Sequence, residues 1–391
     1  MLSFTHSKGE CTGCSACMAA CPIDCITMQI DEEGFWYPVS SDACINCGKC
    51  EKVCPIPKHE ATANIYEQKA YACLSKDDAI WRRSASGGAF SEICLAWGDD
   101  KTIVVGAAWD GMDVHHICVE GVDNISSLCK SKYVASHPEK TLSEIKAYLK
   151  EGKKVIYCGT PCQVAGLKSF LVKPYNNLLT IDLICHGVGS RTVFKHAVMK
   201  MENQLGASIG HYEFRAKRSK YETDHISSLQ SDKGLLYVSN DPYIQLFLSQ
   251  NALRPSCGKN CVFRDSKRQG DLTIADFKGL LEVFPELFGT KRNYTAIVTN
   301  SVKGESVVEK LAITTEIHQT DVSNVARFNP LFEKNTWFSN DRDSFFADFT
   351  KDPEEALNKW TVNYQLFRPS AKRTVYNLLP SSLLRILKRI L

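Results

Sequence analysis

The sequence predicts a small α+β unit followed by a larger α/β unit, on three observations. Nine of the 18 cysteines fall before residue 55 of a 391-residue chain. Those nine include two runs with the same internal spacing. From Ala70 onward, short apolar runs alternate with stretches of helical periodicity, which is the texture of a sheet whose strands are at least partly parallel.

The bulk numbers bound the function. At about 150 residues per domain the chain allows two or three domains and a sizeable core. Hydrophobic residues are 44% and charged residues 23%, which excludes a disordered, collagen-like or coiled-coil chain. Lys plus Arg number 47 against 44 Asp plus Glu, a formal net charge of +3, so the balance predicts no nucleic-acid partner. No apolar h-region precedes Cys11, and runs such as Leu178 to Cys185 fall short of the roughly 20 apolar residues of a membrane span. The expected location is the cytoplasm, where thiols stay reduced and clustered cysteines read as metal ligands.

The first unit follows from its cysteines. Cys11-x2-Cys14-x2-Cys17-x3-Cys21-Pro22 repeats, 33 residues later, as Cys44-x2-Cys47-x2-Cys50-x3-Cys54-Pro55. Two-residue gaps in a tight loop turn three thiolates toward one point, and the cysteine before the proline serves the other cluster. Cys11, Cys14, Cys17 and Cys54 are assigned to one 4Fe-4S cluster, and Cys44, Cys47, Cys50 and Cys21 to the other. Structural zinc sites pair two knuckles over a longer gap, which does not describe four cysteines in 11 residues, twice. Residues 4 to 57 resemble the two-cluster domain of bacterial ferredoxins. Cys25, beyond Pro22, reads as a small buried hydrophobe and not as a ligand.

Pro55 to Ala63 carries two prolines among small polar residues and reads as a linker. Beyond it, Ile103 to Trp109 is a strand, and Thr141 to Gly152 a helix with Leu142, Ile145 and Leu149 on one face. Lys154 to Cys158 is a strand leading through Gly159-Thr-Pro-Cys162 into a helix from Gln163. Leu179 to Ile184 is a strand leading through Cys185-His-Gly-Val-Gly-Ser190 into a helix from Arg191 to Leu205. Asp271 to Asp276 is a further strand. Ligands collect at the carboxyl ends of parallel strands, where Cys162 and Cys185 fall. With Cys257 and Cys261 they bracket one crevice, read as a third 4Fe-4S cluster, a four-cysteine zinc site or unconnected thiols. Cys73, Cys94, Cys118, Cys129 and Cys158 read as ordinary thiols. His186 beside Cys185 does not make a nucleophilic dyad, because adjacent side chains in an extended turn point apart. No catalytic residue is assigned.

Several passages in order, Arg83-Ser-Ala-Ser-Gly-Gly-Ala-Phe90, Lys130-Ser-Lys-Tyr-Val-Ala-Ser136, Gly159-Thr-Pro-Cys-Gln163, Cys185-His-Gly-Val188 and Cys257 to Asp276, resemble the beta subunit of coenzyme F420 hydrogenase/dehydrogenase. The resemblance spans roughly residues 70 to 335. It implies FAD bound near a third cluster, and an N-terminal ferredoxin domain as in longer members. The fold class is therefore an α+β ferredoxin-like two-cluster domain followed by a larger α/β flavin- and iron–sulfur-binding domain. The divisions are 1–57 for the cluster domain, 58–69 for the linker, 70–150 and 151–340 for the two parts of the beta-subunit-like domain, and 341–391 for a helical basic tail.

No G-x-G-x-x-G follows a strand, and Gly187-Val-Gly189 is only a fragment. Ser84, Ser86, Gly87 and Gly88 open a helix from Ala89. From the residues alone they are equally a phosphate turn or a plain helix cap. The resemblance implies flavin phosphate binding there, with Lys132 and Tyr133 adding charge and stacking. The sequence departs from the family pattern after Glu213-Phe-Arg215, where Ala216-Lys217-Arg218 stands, and this weakens the expectation of deazaflavin specificity.

The expected function is an FAD-dependent iron–sulfur oxidoreductase. Electrons would pass between the clusters and FAD, and hydride between FAD and coenzyme F420 or another small metabolite. The alternatives are a non-catalytic electron-transfer subunit docking on a dehydrogenase, or a reductase of surface-polysaccharide biosynthesis in an anaerobe. Expected partners are a redox protein (ferredoxin, hydrogenase or dehydrogenase subunit) and a small-molecule substrate. Ser381 to Leu391 is basic and amphipathic, which suits either peripheral membrane contact or docking on protein.

Overall fold

In the computed structural model, which describes residues 7–57, 66–137, 141–217, 226–258, 261–288, 290, 292–333 and 339–369, the two cysteine runs follow one backbone path twice. Short helices Ala16–Ala19 and Lys49–Lys52 occupy equivalent places. Left-handed backbone at Gly13 (φ 69°) and Ser15 (φ 64°) recurs at Asn46 (φ 52°) and Gly48 (φ 67°). Such a conformation costs a non-glycine residue about 1–2 kcal/mol. Each loop therefore uses one glycine and one small polar residue. Between the loops lies an antiparallel hairpin of β1 (Ile26–Ile30) and β2 (Trp36–Ser40).

The larger part is built on an eight-stranded mixed sheet. Its strands are β3 (Lys69–Ser75), β4 (Ile103–Asp110), β5 (Asp113–Glu120), β6 (Val155–Cys158) and β7 (Leu178–Leu183). After β8 (Ile209–Ala216), β9 (Ile226–Ser231) and β10 (Gly234–Ser239), which leave the sheet, come β11 (Leu272–Asp276), β12 (Thr295–Thr299) and β13 (Thr315–Thr320). The order across the sheet is β13-β3-β12-β11-β7-β6-β4-β5. Its centre, β4-β6-β7-β11, is parallel, and the flanking pairs are antiparallel. The alternation of side chains sends Ile156, Leu179 and Ile181 toward helices Ala89–Trp97 and Val302–Leu311. Val155, Tyr157 and Leu178 face helices Thr141–Lys150 and Pro161–Leu171.

The helix expected from Gln163 starts two residues earlier, at Pro161. Thr160 donates its N–H to Oε1 of Gln163 at 2.9 Å, closing a capping box, and proline suits the first turn. Helix Arg191–Leu205 begins and ends where expected, capped by Ser190, whose Oγ accepts from Val193 N at 3.1 Å, and stopped by Gly206 at φ 58°.

A second, antiparallel sheet runs β14-β10-β9-β8, with β14 (Gln365–Phe367) on β10. This corrects the tail assignment. Helices Arg342–Lys351 and Pro353–Trp360 bury Phe345, Phe346, Phe349 and Leu357 in one core with Val198, Tyr212 and Leu246. Phe35 and Tyr37 of the cluster unit enter the same core. The basic segment Ser381 to Leu391 lies outside the described residues, as do residues 58–65 of the linker. Among the described residues no helix is long and apolar enough to cross a membrane.

Candidate functional site

Two groups of cysteines each line one cavity, and Cys21, Cys44 and Cys50 of the remaining set pack around Cys25 and Ile26. Cys11, Cys14, Cys17 and Cys54 line one small cavity. Burial pushes the Cys14 and Cys17 thiols up to about 12, and the neighbouring thiols of the same group add to the rise. Main-chain N–H groups of Ala16 and Met18 point at these two sulfurs and act in the opposite direction.

The second group, Cys21, Cys44, Cys47 and Cys50, lies near the surface. Cys47 is exposed, and residues 45 to 49 are mostly so. Cys50 is raised by burial. Burial also raises Cys21, but hydrogen bonds from Ile23, Cys25 and Ile26 outweigh it and leave this thiol lowered. Cys25 is buried as expected, yet it does not stand apart: its Sγ lies 3.4 Å from that of Cys21.

The third group was only one of three readings in the sequence, and the fold converges it. Cys162, Cys185, Cys257 and Cys261 line a single small cavity. Cys162 comes from the start of helix Pro161–Leu171 after β6, and Cys185 from the turn after β7. Burial raises Cys162, Cys185 and Cys257 to about 12, and each of the three feels other thiols of the group. Val188 donates its N–H to Cys257 Sγ at 3.3 Å. Gly187 (φ 148°) is required, since a Cβ would stand 2.6 Å from Leu253 and 3.3 Å from Cys257 Cβ.

The loop after Cys261 is held by buried charge. Arg268 donates to Asp182 Oδ1 at 3.1 Å and to Leu183 O at 2.6 Å, and the Arg268 and Asp182 side chains are essentially inaccessible. Arg264 donates to His186 O at 2.6 Å. His186 itself meets Phe247 O through Nε2 at 3.2 Å, away from any dyad with Cys185.

The three donor sets suit iron–sulfur clusters. In the two enclosed groups, burial and mutual repulsion hold the thiols protonated, and a multiply charged metal core would offset both and favour the thiolates. The main-chain N–H groups aimed at sulfur are the hydrogen-bond partners such a cluster takes.

The first and third groups touch. Thr12 lines both cavities. Helix Pro161–Leu171 packs on the first loop through Gly166, where a Cβ would stand 2.8 Å from Cys14 Cβ and 2.9 Å from its Sγ. The Cys162 thiol feels Cys14 as well as its own group.

The residues expected to hold FAD do not form one cradle. Ser84 Oγ donates to Ile80 O at 2.7 Å and Ser86 Oγ to Tyr294 O at 2.9 Å, so both hydroxyl hydrogens are committed to the main chain. Gly87 is explained by packing: its Cβ would stand 2.2 Å from Cys73 O. Gly88 (φ 101°) supplies the left-handed residue before helix Ala89–Trp97. Lys132 donates to Ser127 O and Cys129 O at 3.0 and 2.6 Å, and Tyr133 packs between Phe214 and Phe247. Sequence reasoning missed Lys217, whose ammonium caps the same turn by donating to Trp81 O and Ser86 O at 2.5 and 2.8 Å. Its only sequence signal was the departure from the family pattern.

A mixed α/β architecture with clustered cysteines has the donor sets that an iron–sulfur electron-transfer protein requires. Comparison with known proteins narrows the class. Residues 10–57 match the 4Fe-4S dicluster domain, and residues 152–325 match the C terminus of the coenzyme F420 hydrogenase/dehydrogenase beta subunit. The first match places a dicluster domain at the N-terminal end of the chain, and the second covers a little under half of it. The chain is similar to an uncharacterised protein of Methanocaldococcus jannaschii, 25% identical over 79% of this chain and 90% of the relative. It is also similar to the coenzyme F420-dependent sulfite reductase of the same organism, 30% identical over 45% of this chain and 27% of that protein. Among solved structures it resembles a chain of the F420-reducing [NiFe] hydrogenase complex of Methanosarcina barkeri, with a TM-score of 0.45 and 14% identity, over 74% of this chain and 91% of that one. The dicluster and beta-subunit matches together mark an iron–sulfur electron-transfer oxidoreductase related to the coenzyme F420 hydrogenase/dehydrogenase beta subunits.

Proposed function

We propose that the chain carries single electrons along three 4Fe-4S clusters, from its surface to its interior. Cys21, Cys44, Cys47 and Cys50 would hold the outer cluster. Cys11, Cys14, Cys17 and Cys54 would hold the middle one, and Cys162, Cys185, Cys257 and Cys261 the inner one. When bound, each supplies one-electron chemistry at a fixed place. The observation that carries the reading is Thr12, which belongs to the walls of the middle and inner cavities at once. The chain's own work is to exclude water, to aim N–H groups at sulfur and to fix spacing. Gly166 contributes to spacing by letting its helix approach Cys14 without an intervening side chain.

The test is anaerobic purification with iron and sulfide analysis. About twelve irons and about twelve sulfides per chain are expected. Cys257→Ser lowers both by about a third. Full iron in that variant, or zinc in place of iron, overturns the assignment.

A second reading adds a small anionic substrate such as coenzyme F420 or a sugar nucleotide. It rests on the indole of Trp81, which has Lys217 Nζ at 3.9 Å and Arg292 Cζ at 4.5 Å from its ring centre. Burial first, and then Arg215, Lys130 and Arg292, lower Lys217 to about 7. An anion there relieves that repulsion, so Lys217 takes up a proton as it binds. Lys217→Gln should abolish the proton uptake measured by calorimetry in two buffers; unchanged uptake overturns the reading.

A further inference from the structure

The outer cysteine group borders a feature that the electron path does not use. A groove of about 1260 Å³ runs between the cluster unit and helices Thr141–Lys150 and Pro161–Leu171. Cys21 and Pro22 form part of its wall. Five lysines line it: Lys49 and Lys52 from the second cysteine repeat, Lys146 and Lys150 from the first helix, and Lys168 from the other. All but Lys146 are exposed. Among the described residues the only carboxylate in the lining is Asp271, which is already occupied by Thr180 N, Thr180 Oγ1 and Ser301 Oγ at 2.9, 2.7 and 2.8 Å. Glu51 lies between two of the lysines in sequence but is not part of the wall.

A chain whose formal charge is only +3 thus concentrates positive charge at one place. Its site is the groove against the outermost cysteines.

From this we infer that the groove is the docking surface for a small acidic one-electron carrier protein. The inference rests on the proposed electron path, because it names the partner of that path's outer end. A concave wall with Cys21 in it admits a compact protein that brings its own redox centre close, whereas a flat lipid surface does not follow it. Charge of one sign in a cleft steers an oppositely charged partner and sets its orientation, and the attraction is screened by salt. In the transfer, the carrier is oxidised by one electron and the iron–sulfur group held by Cys21, Cys44, Cys47 and Cys50 is reduced by one. No atom or proton moves between the proteins.

The experiment uses the full-length holoprotein and a purified acidic two-cluster ferredoxin as the probe. Binding is measured by calorimetry at low and high salt, alongside iron content and thermal midpoint. The wild type should bind at low salt and lose affinity about tenfold or more in high salt. The triple variant Lys49→Glu, Lys146→Glu, Lys150→Glu should weaken binding by about the same factor at low salt, with iron content and midpoint unchanged. Lys310→Glu, with Lys351→Glu, reverses charge outside the groove and should leave affinity within about twofold. Wild-type binding retained in the triple variant overturns the inference, as does equal loss in the control pair. So does groove-dependent binding of a second copy or of nucleic acid with none of ferredoxin. Failure of the electron path instead shows as missing iron in the wild type, a separate readout from affinity. If the triple variant misfolds, Lys150→Glu alone should still reduce affinity several-fold, and its failure to do so counts against the docking surface.

Discussion

The two cysteine loops share spacing and backbone but meet opposite surroundings. The first is packed against the larger domain: Arg254 donates to Cys11 O and Trp36 O, both at 2.8 Å, and its guanidinium lies 4.2 Å from the Tyr37 ring centre. A Cβ on Gly13 would stand 2.8 Å from Arg254 Nη1 and 3.0 Å from Trp36 O. The second loop faces solvent, and a Cβ on its Gly48 would meet nothing within 4 Å. Duplication copied the ligand geometry, and the fold then divided the labour. The enclosed loop abuts the third cysteine group, while the open loop is left for contact with another molecule.

The sharpest way to break this asymmetry is to remove its clamp. Arg254→Ala leaves two carbonyls without their donor and a cavity beside Tyr37. It should cost about 3–4 kcal/mol in chemical denaturation. Lys49 of the second loop is exposed, so Lys49→Ala should cost under about 0.5 kcal/mol.

Next in size is an acid effect on the enclosed side. His116 on β5 is buried beside Tyr157, and burial lowers its imidazole to about 4. The unfolded chain takes up this proton near pH 6.5, before the folded one does. Stability is therefore present above pH 6.5 and falls as the pH drops toward 4, by about 3 kcal/mol in all. Replacing His116 with Gln should flatten that limb of the stability–pH curve; an unchanged slope would place the acid sensitivity elsewhere.

The smallest effect sharpens the comparison most directly. Both glycines have positive φ, so both alanine variants bear the backbone penalty of about 1 kcal/mol. Gly13→Ala must also displace Arg254 and should cost about 1–2 kcal/mol more. Equal midpoints for Gly13→Ala and Gly48→Ala would mean that the first loop is not confined as described.

Much of the fold was legible because local rules and tertiary packing agree. Ile103 to Trp109 read as a strand and helix Arg191–Leu205 was bounded correctly, since Ser190 and Gly206 are local signals. The helix starts at Pro161 and not at Gln163 because the Thr160–Gln163 capping box and the proline in its first turn set the boundary. The packing of helices Arg342–Lys351 and Pro353–Trp360 is set by distant residues. Phe345, Phe346 and Phe349 fall on one helical face, but only the core shared with Phe35 and Val198 reveals what covers it. At the flavin turn, Ser84 and Ser86 matched a phosphate-binding composition, yet the acceptors Ile80 O and Tyr294 O take their protons. One of these acceptors is more than 200 residues away in sequence.

The sequence by itself determined the two N-terminal ligand runs, because thiolates spaced two apart must converge within a single turn whatever surrounds them. It also determined the alternation of strand and helix that makes a mixed α/β domain. Only the tertiary structure decided that Cys162, Cys185, Cys257 and Cys261 share one cavity. Their convergence depends on the parallel pairing of β6, β7 and β11 and on the buried pair of Asp182 and Arg268. It alone decided which cysteine repeat is enclosed and which is open. Identical local sequence rules cannot distinguish two copies of a loop, and long-range packing can.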